Sequence, residues 1–316
     1  MIMISDHSGR TFKNLRISLL SACNFACVYC TDDNAALPFS KTDGLSISNL
    51  LNQVSKLHHH LNLNSVRLTG GEPLLYPDLG ELIKGLSTIG IKEIKMTSNG
   101  FLLEKQVQKL AALGLKEINI SLDAATEAAF FKMTRRDKFE NVKQGIDAAL
   151  KAGLKVKLNA VIMKGKNDDQ IMPLFNFARE RNIIIRFLEV MRMGHLHQHQ
   201  DDYLITQQDI LDKIGMYHQF LPLPRKPSAT ANYWETKDGF TFGIIANSSQ
   251  PFCQDCDRLR LDHKGNIYGC LSENEPIEIS KAVSDNDFEQ YLRNALSQKQ
   301  AVKFTGSKLS MLNIGG

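Results

Sequence analysis

The chain has 316 residues, of which 43% are hydrophobic and 23% are charged, and its formal net charge is +4. This composition excludes disordered and collagen-like proteins, and the length suits one large barrel or two domains. No run of about 18 apolar residues is present, and residues 1–10 lack the order of charged and apolar residues typical of a secretory signal. We therefore expect a cytoplasmic protein with no membrane partner.

Short segments rich in β-branched residues recur along the first 190 residues, and most precede a segment with apolar residues at helical spacing. The predicted strands are 15–19, 65–69, 93–98, 117–122, 155–163 and 183–190. The predicted helices are 48–60, 78–87, 104–113, 139–152 and 169–181. Strands that alternate with helices form parallel sheets with right-handed crossovers. The predicted fold is an α/β partial (β/α)6 TIM-type barrel with its functional site at the strand carboxyl ends.

The alternation stops after about residue 190, where a stretch rich in Gly, His and Gln begins. Short β-like segments beyond residue 231 surround a group of cysteines. We predict two domains: the barrel over residues 1–195 and a C-terminal cluster-binding and substrate-binding extension over residues 196–316.

The six cysteines of the chain fall into two groups of three. They are Cys23, Cys27 and Cys30 near the start, and Cys253, Cys256 and Cys270 near the end. Disulfides are disfavoured in a reducing compartment and unnecessary in a chain of this length. The two groups therefore indicate metal ligands or redox groups.

The first group has the spacing C-x3-C-x2-C and directly follows the first predicted strand. A [4Fe-4S] cluster usually takes four thiolates, so three leave one iron free for another ligand. A small molecule with an adjacent amine and carboxylate, such as S-adenosylmethionine (SAM), could chelate that iron. The alternatives are a structural zinc site that also uses His7, or three simply buried cysteines.

Small and polar residues follow the next predicted strands. Gly70 and Gly71 begin the sequence Gly-Gly-Glu-Pro, where glycines allow a close approach of the backbone to a ligand. Either the backbone carbonyls of this turn or the Glu72 carboxylate could contact an ammonium group of that ligand. Thr97 and Ser121 offer hydroxyl groups for a ribose or a carboxylate. Turn formation and helix capping are the alternative explanation for each of them.

Four basic residues, Arg16, Arg67, Lys157 and Arg186, interrupt predicted strands that otherwise look buried. A buried charge is costly unless it contacts an anion or reaches water. Each residue alone could pair with a helix carboxylate on the outer face of the barrel. Four such residues on four strands favour a polyanion held in the lumen, because guanidinium groups match phosphate geometry.

The second group has the spacing C-x2-C-x13-C, and Arg258 and Arg260 share one strand face beside it. A Cys3His zinc site with His263 is an alternative to a second cluster. A solvated charged surface is the alternative explanation for the two arginines.

The first triplet, with Tyr29 before its last cysteine, resembles the radical SAM enzymes. The second group with its C-x2-C-x-R-x-R pattern, together with the Gly-Gly end at 315–316, is similar to the GTP 3′,8-cyclases of molybdenum cofactor biosynthesis. The likeness runs from about residue 6 to the last residue and includes NDDQ at 167–170 and IRFLEVM at 185–191. Ala26, Asp257 and Trp234 stand where this family usually has Arg, Asn and Tyr.

The resemblance implies two [4Fe-4S] clusters, one on each cysteine group, and SAM as a further cofactor. It implies SAM contacts from Tyr29, Gly71, Ser121 and Met191. It implies GTP contacts from Arg16, Arg67, Thr97, Lys157, Arg186, Arg258 and Arg260. It also implies a catalytic role for the first-cluster ligands Cys23, Cys27 and Cys30 and for Arg258 and Arg260. The terminal glycines resemble a tail that enters the active site.

The resemblance further implies a radical lyase that converts GTP to 3′,8-cyclo-7,8-dihydro-GTP. The implied partners are an electron donor such as flavodoxin or ferredoxin, the next pathway enzyme, cyclic pyranopterin monophosphate synthase, and a second copy in a homodimer, with no nucleic acid. Two alternatives stay open: a radical SAM enzyme that modifies a peptide or another nucleotide, and a zinc-binding scaffold that binds nucleic acid.

Overall fold

Six parallel strands form the wall of the barrel in the computed structural model, which describes residues 4–32 and 44–315. They are β1 (Asn14–Ser18), β2 (Ser65–Thr69), β3 (Glu93–Ser98), β4 (Leu115–Ser121), β5 (Lys155–Ile162) and β6 (Ile184–Glu189), and they lie side by side in chain order. Each predicted strand is found, with ends that differ by at most two residues. The alternation of β-branched and polar residues was therefore sufficient to locate the wall.

Six helices connect these strands: α1 (Ile47–Leu61), α2 (Leu79–Ile89), α3 (Leu103–Ala112), α4 (Glu127–Thr134), α5 (Phe139–Lys151) and α6 (Ile171–Glu180). All five predicted helices are present. The sequence prediction missed α4, whose apolar residues form no single stripe along the helix. Thr126 caps its start by accepting a hydrogen bond from the Ala129 amide, and Arg135 ends it with a φ of 56°.

The chain after residue 190 adds to the same sheet. It contributes α7 (Gln200–Tyr203), α8 (Gln207–Gly215), β7 (Phe220–Leu223), β8 (Asn232–Thr236), β9 (Thr241–Ile245), β10 (Arg258–Leu261), β11 (Ile267–Tyr268), α9 (Asp285–Ser297) and α10 (Met311–Ile314). Strand β9 pairs in parallel with β6, and β10 pairs in parallel with β1. The resulting order is β11-β10-β1-β2-β3-β4-β5-β6-β9-β8-β7, an open sheet within the described ranges. The partial α/β barrel fold is confirmed.

The hydrophobic core lies between the sheet and the outer helices. In β1, Leu15 and Ile17 are at most 1% exposed, whereas Arg16 between them lines the interior of the barrel. Helix α1 buries Leu50 and Val54 against the outer face of the sheet. Successive residues of a strand point to opposite faces, so one face builds the core and the other supplies a polar lumen. Within residues 4–32 and 44–315, no helix has the length and apolar character needed to cross a membrane.

Candidate active site

Three adjoining cavities run through the barrel interior. The first-triplet cavity, of about 180 Å³, is lined by Cys23, Cys27 and Cys30, and the second-triplet cavity, of about 170 Å³, by Cys253, Cys256 and Cys270. They share the side chains of Thr97, Asn159, Leu188, Met191 and Met311. The basic cavity, of about 240 Å³, shares Arg16, Asn119, Arg186, Thr230 and Arg258 with the second-triplet cavity. The two cysteine groups therefore face one interior space that leads to a cationic end.

The first cysteine group lies on a loop that follows β1. Backbone amides of Ala26 and Val28 donate to the carbonyls at the end of α4, at 3.2 and 3.0 Å. The His195 ring contacts the carbonyl oxygen of Val28 at 3.0 Å. Burial, and then the nearby Glu72 carboxylate, raise the pKa of the Cys23 thiol to about 11. The loop is thus fixed from outside, and its thiols face a low-dielectric space.

The pKa values of the other two thiols show how close the cysteines lie. Burial raises the pKa of Cys27 and of Cys30, and the repulsion between thiolates in the triplet raises both further. All six cysteines are free of disulfides. Buried free thiols with raised pKa values need a cation or a cluster to hold them as thiolates.

The glycine turn after β2 packs tightly against the chain that leads to Cys23. A Cβ built on Gly71 would lie 2.1 Å from the carbonyl oxygen of Ala22, and the Gly71 amide donates to the carbonyl of Leu20 at 2.7 Å. Both glycines of the turn line the first-triplet cavity. Only glycine allows this approach, so the turn positions the cysteine loop while it exposes backbone to the cavity.

Glu72 of this turn is fully buried and does not line the first-triplet cavity. Its carboxylate accepts hydrogen bonds from the Ser98 hydroxyl at 2.8 Å and from the amides of Leu74 and Asn99 at 3.0 and 2.7 Å. The sequence suggested either the carboxylate or the backbone carbonyls of this turn as ligand contacts. The structure assigns the carboxylate to bracing the carboxyl end of β3.

Two residues that sequence reasoning did not select fix the loops after β4 and β5. Asp123 accepts from the Tyr29 hydroxyl at 2.8 Å and from the Val161 amide at 2.8 Å. The Asn167 amide donates to the carbonyls of Asp123 and Val161 at 2.8 and 2.9 Å. The sequence held a signal for both residues, because Asp123 directly follows one predicted strand and NDDQ at 167–170 comes soon after the next. Ser121 and Tyr29 line the cavity beside them.

Two cations contact one thiol of the second group. Arg258 Nη2 lies 3.3 Å from Cys256 Sγ, and Lys299 Nζ lies 3.5 Å from the same sulfur. Burial raises the pKa of Cys256, but these two cations outweigh it and bring the pKa to about 7. In contrast, Cys23 of the first group accepts from the neutral Phe25 amide and Asn99 side chain. The second group therefore lies in a more positive environment.

One carboxylate pairs with two of the predicted basic residues. Glu117 of β4 contacts Arg67 Nη2 at 2.7 Å and Lys157 Nζ at 3.0 Å. Burial raises the pKa of Glu117, but the two cations lower it to about 2. This pairing lies inside the lumen, so the suggested pairing with helix carboxylates on the outer face is wrong for Arg67 and Lys157.

The remaining guanidinium groups of the lumen have no carboxylate partner among the described residues. They belong to Arg16, Arg186, Arg258 and Arg260. Arg186 is 7% exposed, and its Nε and Nη2 atoms are buried without a hydrogen-bond partner. Burial lowers the pKa of Arg16, and the neighbouring arginines lower it further. Such an accumulation of buried positive charge needs an anionic ligand.

The C-terminal segment enters the same interior. Arg260 Nη1 donates to the carbonyl of Ile314 at 3.2 Å and also to that of Gly315. A Cβ built on Gly315 would lie 2.3 Å from the Thr69 hydroxyl at the end of β2. Gly315 thus lies in the lumen, whereas Gly316 is outside the described residues.

The donor sets suit iron–sulfur clusters better than single zinc ions. Each triplet supplies three thiols to one cavity, which is the donor set of a [4Fe-4S] cluster with one iron left for another ligand. His7 is exposed, and His263 lines neither cysteine cavity. The geometry gives no support to the two zinc alternatives.

Every predicted site residue lines at least one of the three cavities. Tyr29, Gly71 and Ser121 line the first-triplet cavity, and Met191 and Thr97 lie on the wall that it shares with the second-triplet cavity. The predicted basic residues line the other two cavities. Among the three departures from the resemblance, Asp257 accepts from the Asn14 amide group at 2.5 Å, and the Trp234 ring stacks on Phe242.

Sequence comparisons identify two families along the chain. The Radical SAM superfamily matches residues 17–178, and the family described as Molybdenum Cofactor Synthesis C matches residues 183–308. A GTP 3′,8-cyclase of Staphylococcus haemolyticus is 38% identical over 304 residues, covering 93% of this chain and 88% of the relative. A protein of the same name from Staphylococcus carnosus is 38% identical over 278 residues, covering 85% and 81%.

Solved structures with the same fold are more distant in sequence. Streptococcus suis SuiB bound to S-adenosylmethionine aligns with a TM-score of 0.61 at 15% identity, and the match covers 91% of this chain and 66% of SuiB. The protein anSMEcpe with bound AdoMet aligns with a TM-score of 0.50 at 18% identity, covering 65% and 59%. These likenesses concern the fold alone. The sequence relatives confirm the resemblance, and the chain belongs to the GTP 3′,8-cyclase family of the radical SAM superfamily.

Proposed function

We propose that this chain is a GTP 3′,8-cyclase, a radical SAM lyase that acts in molybdenum cofactor biosynthesis. Its curated relatives carry this name over most of both chains. The observation that carries the proposal is the shared interior. Two cysteine triplets face adjoining cavities with common wall residues, and guanidinium groups without a carboxylate partner among the described residues lie at the end away from the first triplet.

In this proposal, Cys23, Cys27 and Cys30 would hold a [4Fe-4S] cluster that binds SAM. A cluster of this kind with bound SAM supplies a 5′-deoxyadenosyl radical. Tyr29, Gly71, Ser121 and Met191 line the same space and contact SAM. Asp123 supports this arrangement, because it holds the Tyr29 hydroxyl at 2.8 Å.

The second triplet, Cys253, Cys256 and Cys270, would hold an auxiliary [4Fe-4S] cluster next to the purine of the bound nucleotide. Thr97 on the shared wall contacts GTP between the two groups. The basic residues Arg16, Arg67, Lys157, Arg186, Arg258 and Arg260 bind the triphosphate. A triphosphate carries enough negative charge to offset the guanidinium groups that lack a carboxylate partner.

The residues of the chain position the nucleotide and keep water away from its reacting carbons. The cations hold the triphosphate, and this fixes the ribose toward the first triplet, so that its 3′ carbon faces the SAM side and the purine C8 remains within reach. The apolar side chains of Leu188, Met191 and Met311 on the shared wall exclude water from the reacting carbons.

The proposal also includes features that rest on the family. They are an electron donor such as flavodoxin or ferredoxin, the next pathway enzyme, cyclic pyranopterin monophosphate synthase, a homodimeric state, a cytoplasmic location and the absence of a nucleic-acid partner. The division into a barrel at 1–195 and a C-terminal domain at 196–316 belongs here as well.

Iron and sulfide analysis of anaerobically purified protein tests the cluster assignment. We expect about eight iron atoms and eight sulfides per chain in the wild type, and about four of each in Cys27→Ser and in Cys256→Ser. Cys27→Ser should abolish SAM cleavage, whereas the wild type should cleave SAM when GTP is present. Two zinc atoms without sulfide, or normal cleavage by Cys27→Ser, would overturn the proposal.

A further inference from the structure

The basic cavity is not uniform in charge. Six cationic side chains line it, and it also contains the carboxylates of Glu117 and Asp257. Glu117 forms ion pairs with two of the predicted phosphate-binding residues, at 2.7 Å to Arg67 and at 3.0 Å to Lys157. Arg16, Arg186 and Arg258 border the same cavity without a carboxylate partner in the described part of the chain. Two of the cations in the cavity are therefore offset by a direct ion pair to Glu117, whereas Arg16, Arg186 and Arg258 are not.

The position of Glu117 allows it to offset the charges of Arg67 and Lys157 at neutral pH. It is 7% exposed, and each of its two oxygens contacts a different cation. The Arg67 guanidinium is also fixed by a hydrogen bond from Nη1 to the Met96 carbonyl at 3.1 Å. Arg67 and Lys157 hold the pKa of Glu117 near 2, so the carboxylate stays ionised.

The ligand must compete with this carboxylate for two of its cations. A phosphate that binds Arg67 and Lys157 displaces Glu117 or meets its negative charge. A phosphate that binds Arg186 meets no such opposition, because two nitrogens of that side chain are buried without a partner. The binding free energy that a phosphate gains from Arg67 and Lys157 is therefore smaller than the binding free energy that it gains from Arg186, although all three side chains are positively charged.

We propose that Glu117 is a specificity-determining residue: it offsets Arg67 and Lys157, so that the nucleotide phosphates are held mainly by Arg16, Arg186 and Arg258, which have no carboxylate partner in the described part of the chain. This inference rests on the proposed binding of GTP. Because the basic cavity lies beyond the second-triplet cavity, the distal phosphates of the nucleotide reach it. Glu117 thus limits how much the second and third phosphates add to affinity.

Equilibrium binding of GTP, GDP and GMP to the cluster-loaded protein tests this role. Glu117→Gln keeps the shape and removes the charge. We expect it to tighten GTP binding by about fivefold or more and to change GMP binding by less than about twofold. Glu93→Gln is the matched control, because Glu93 contacts Lys95 at 3.7 Å and is half exposed. The control should leave all three affinities within about twofold of the wild type.

A double-mutant cycle separates this role from a structural one. In the wild type, Lys157→Met should weaken GTP binding by no more than about threefold, and in the Glu117→Gln background by about tenfold or more. As a single substitution in the wild type, Arg186→Met should weaken GTP binding by at least about fivefold more than Lys157→Met does. This comparison of two single variants does not depend on whether the Glu117 variant folds.

The possible results distinguish a failure of the role of Glu117 from a failure of the proposed function. If the wild type binds no guanine nucleotide, the proposed function fails together with the inference. If the wild type binds GTP but Glu117→Gln leaves the affinity unchanged or weakens it, or if the cycle is additive, only the role of Glu117 is overturned. A gain for GMP equal to that for GTP would also contradict it.

Discussion

Arg260 and Gly315 lie in direct contact inside the barrel. The guanidinium of Arg260 donates to the carbonyls of Ile314 and Gly315, and the Gly315 backbone has a φ of 78°. The Thr69 hydroxyl leaves no room for a side chain at this position. The C-terminal segment therefore positions a residue of the proposed GTP site from within the lumen.

Gly315→Ala should displace this segment and reduce turnover. Its Cβ would lie 2.3 Å from the Thr69 hydroxyl oxygen, so Arg260 would lose its two carbonyl acceptors. We expect product formation to fall by about tenfold or more, while the melting temperature changes little. Gly153→Ala is the control, because its φ is 73° but nothing lies within 4 Å of the added carbon. Equal activity of the two variants would contradict the role of the segment.

Arg186→Met and Arg67→Met should change stability in opposite directions. Methionine at 186 removes a buried charge with two unpartnered nitrogens, and we expect the free energy of unfolding to rise by about 1 kcal/mol. Methionine at 67 leaves Glu117 with Lys157 as its one ion-pair partner, and we expect a loss of about 2 kcal/mol. Both variants should bind GTP more weakly than the wild type. Thermal unfolding of the nucleotide-free protein is the measurement, and a lower melting temperature for Arg186→Met would contradict this reasoning.

Glu72→Ala should destabilise the fold by about 3 kcal/mol at neutral pH, because it leaves two backbone amides and the Ser98 hydroxyl without their buried acceptor. Burial raises the pKa of Glu72 from 4.5 to about 7. A raised carboxyl pKa favours the folded state below pH 4.5, and this contribution is lost as the pH rises through about 7.

The stability difference between the wild type and Glu72→Ala should therefore grow by about 2 kcal/mol from about pH 7.5 to about pH 5.5. Urea unfolding at both pH values is the measurement. Glu93→Gln, at a half-exposed carboxylate, is the control variant in the same measurement. A pH-independent difference would show that Glu72 is ionised throughout.

Lys299→Met should lower the reduction potential of the cluster proposed at the second triplet. It removes a buried cation 3.5 Å from Cys256 Sγ, and positive charge near a cluster stabilises its reduced form. We expect a shift on the order of 60 mV, equivalent to about 1.4 kcal/mol for one electron. Electron paramagnetic resonance during a redox titration measures both clusters, and the first should not shift. The exposed Lys308→Met is the control, and an equal shift there would contradict the assignment to Lys299.

Most strands and helices of the barrel, and most residues of the site, could be predicted from the sequence. The strands were recognisable because residues such as Leu15 and Ile17 alternate with polar ones, and the cysteine spacing located both triplets. Sequence reasoning missed α4, whose apolar residues are spread around the helix. It also did not reveal that β9 and β10 continue the parallel sheet, because pairing between distant segments leaves no local periodicity.

The missed site residues are those whose partners lie far away in the chain. Glu117 looked like the ordinary polar start of a strand, and only the approach of β2 and β5 shows that it pairs with Arg67 and Lys157. Glu72 was noticed, but its hydrogen bonds to the end of β3 could not be read from the Gly-Gly-Glu-Pro motif. Such pairings depend on the three-dimensional register of strands.

The most direct test of the central claim, that the GTP ribose lies between the two cysteine groups, follows the hydrogen atom on the ribose 3′ carbon. The chain is incubated anaerobically with SAM, a reductant and GTP that carries deuterium at the ribose 3′ carbon. The account predicts that the 5′-deoxyadenosine formed carries one deuterium by mass spectrometry, and that its formation depends on GTP. Unlabelled 5′-deoxyadenosine, or its formation at the same rate without GTP, would contradict the placement of the ribose between the two cysteine groups.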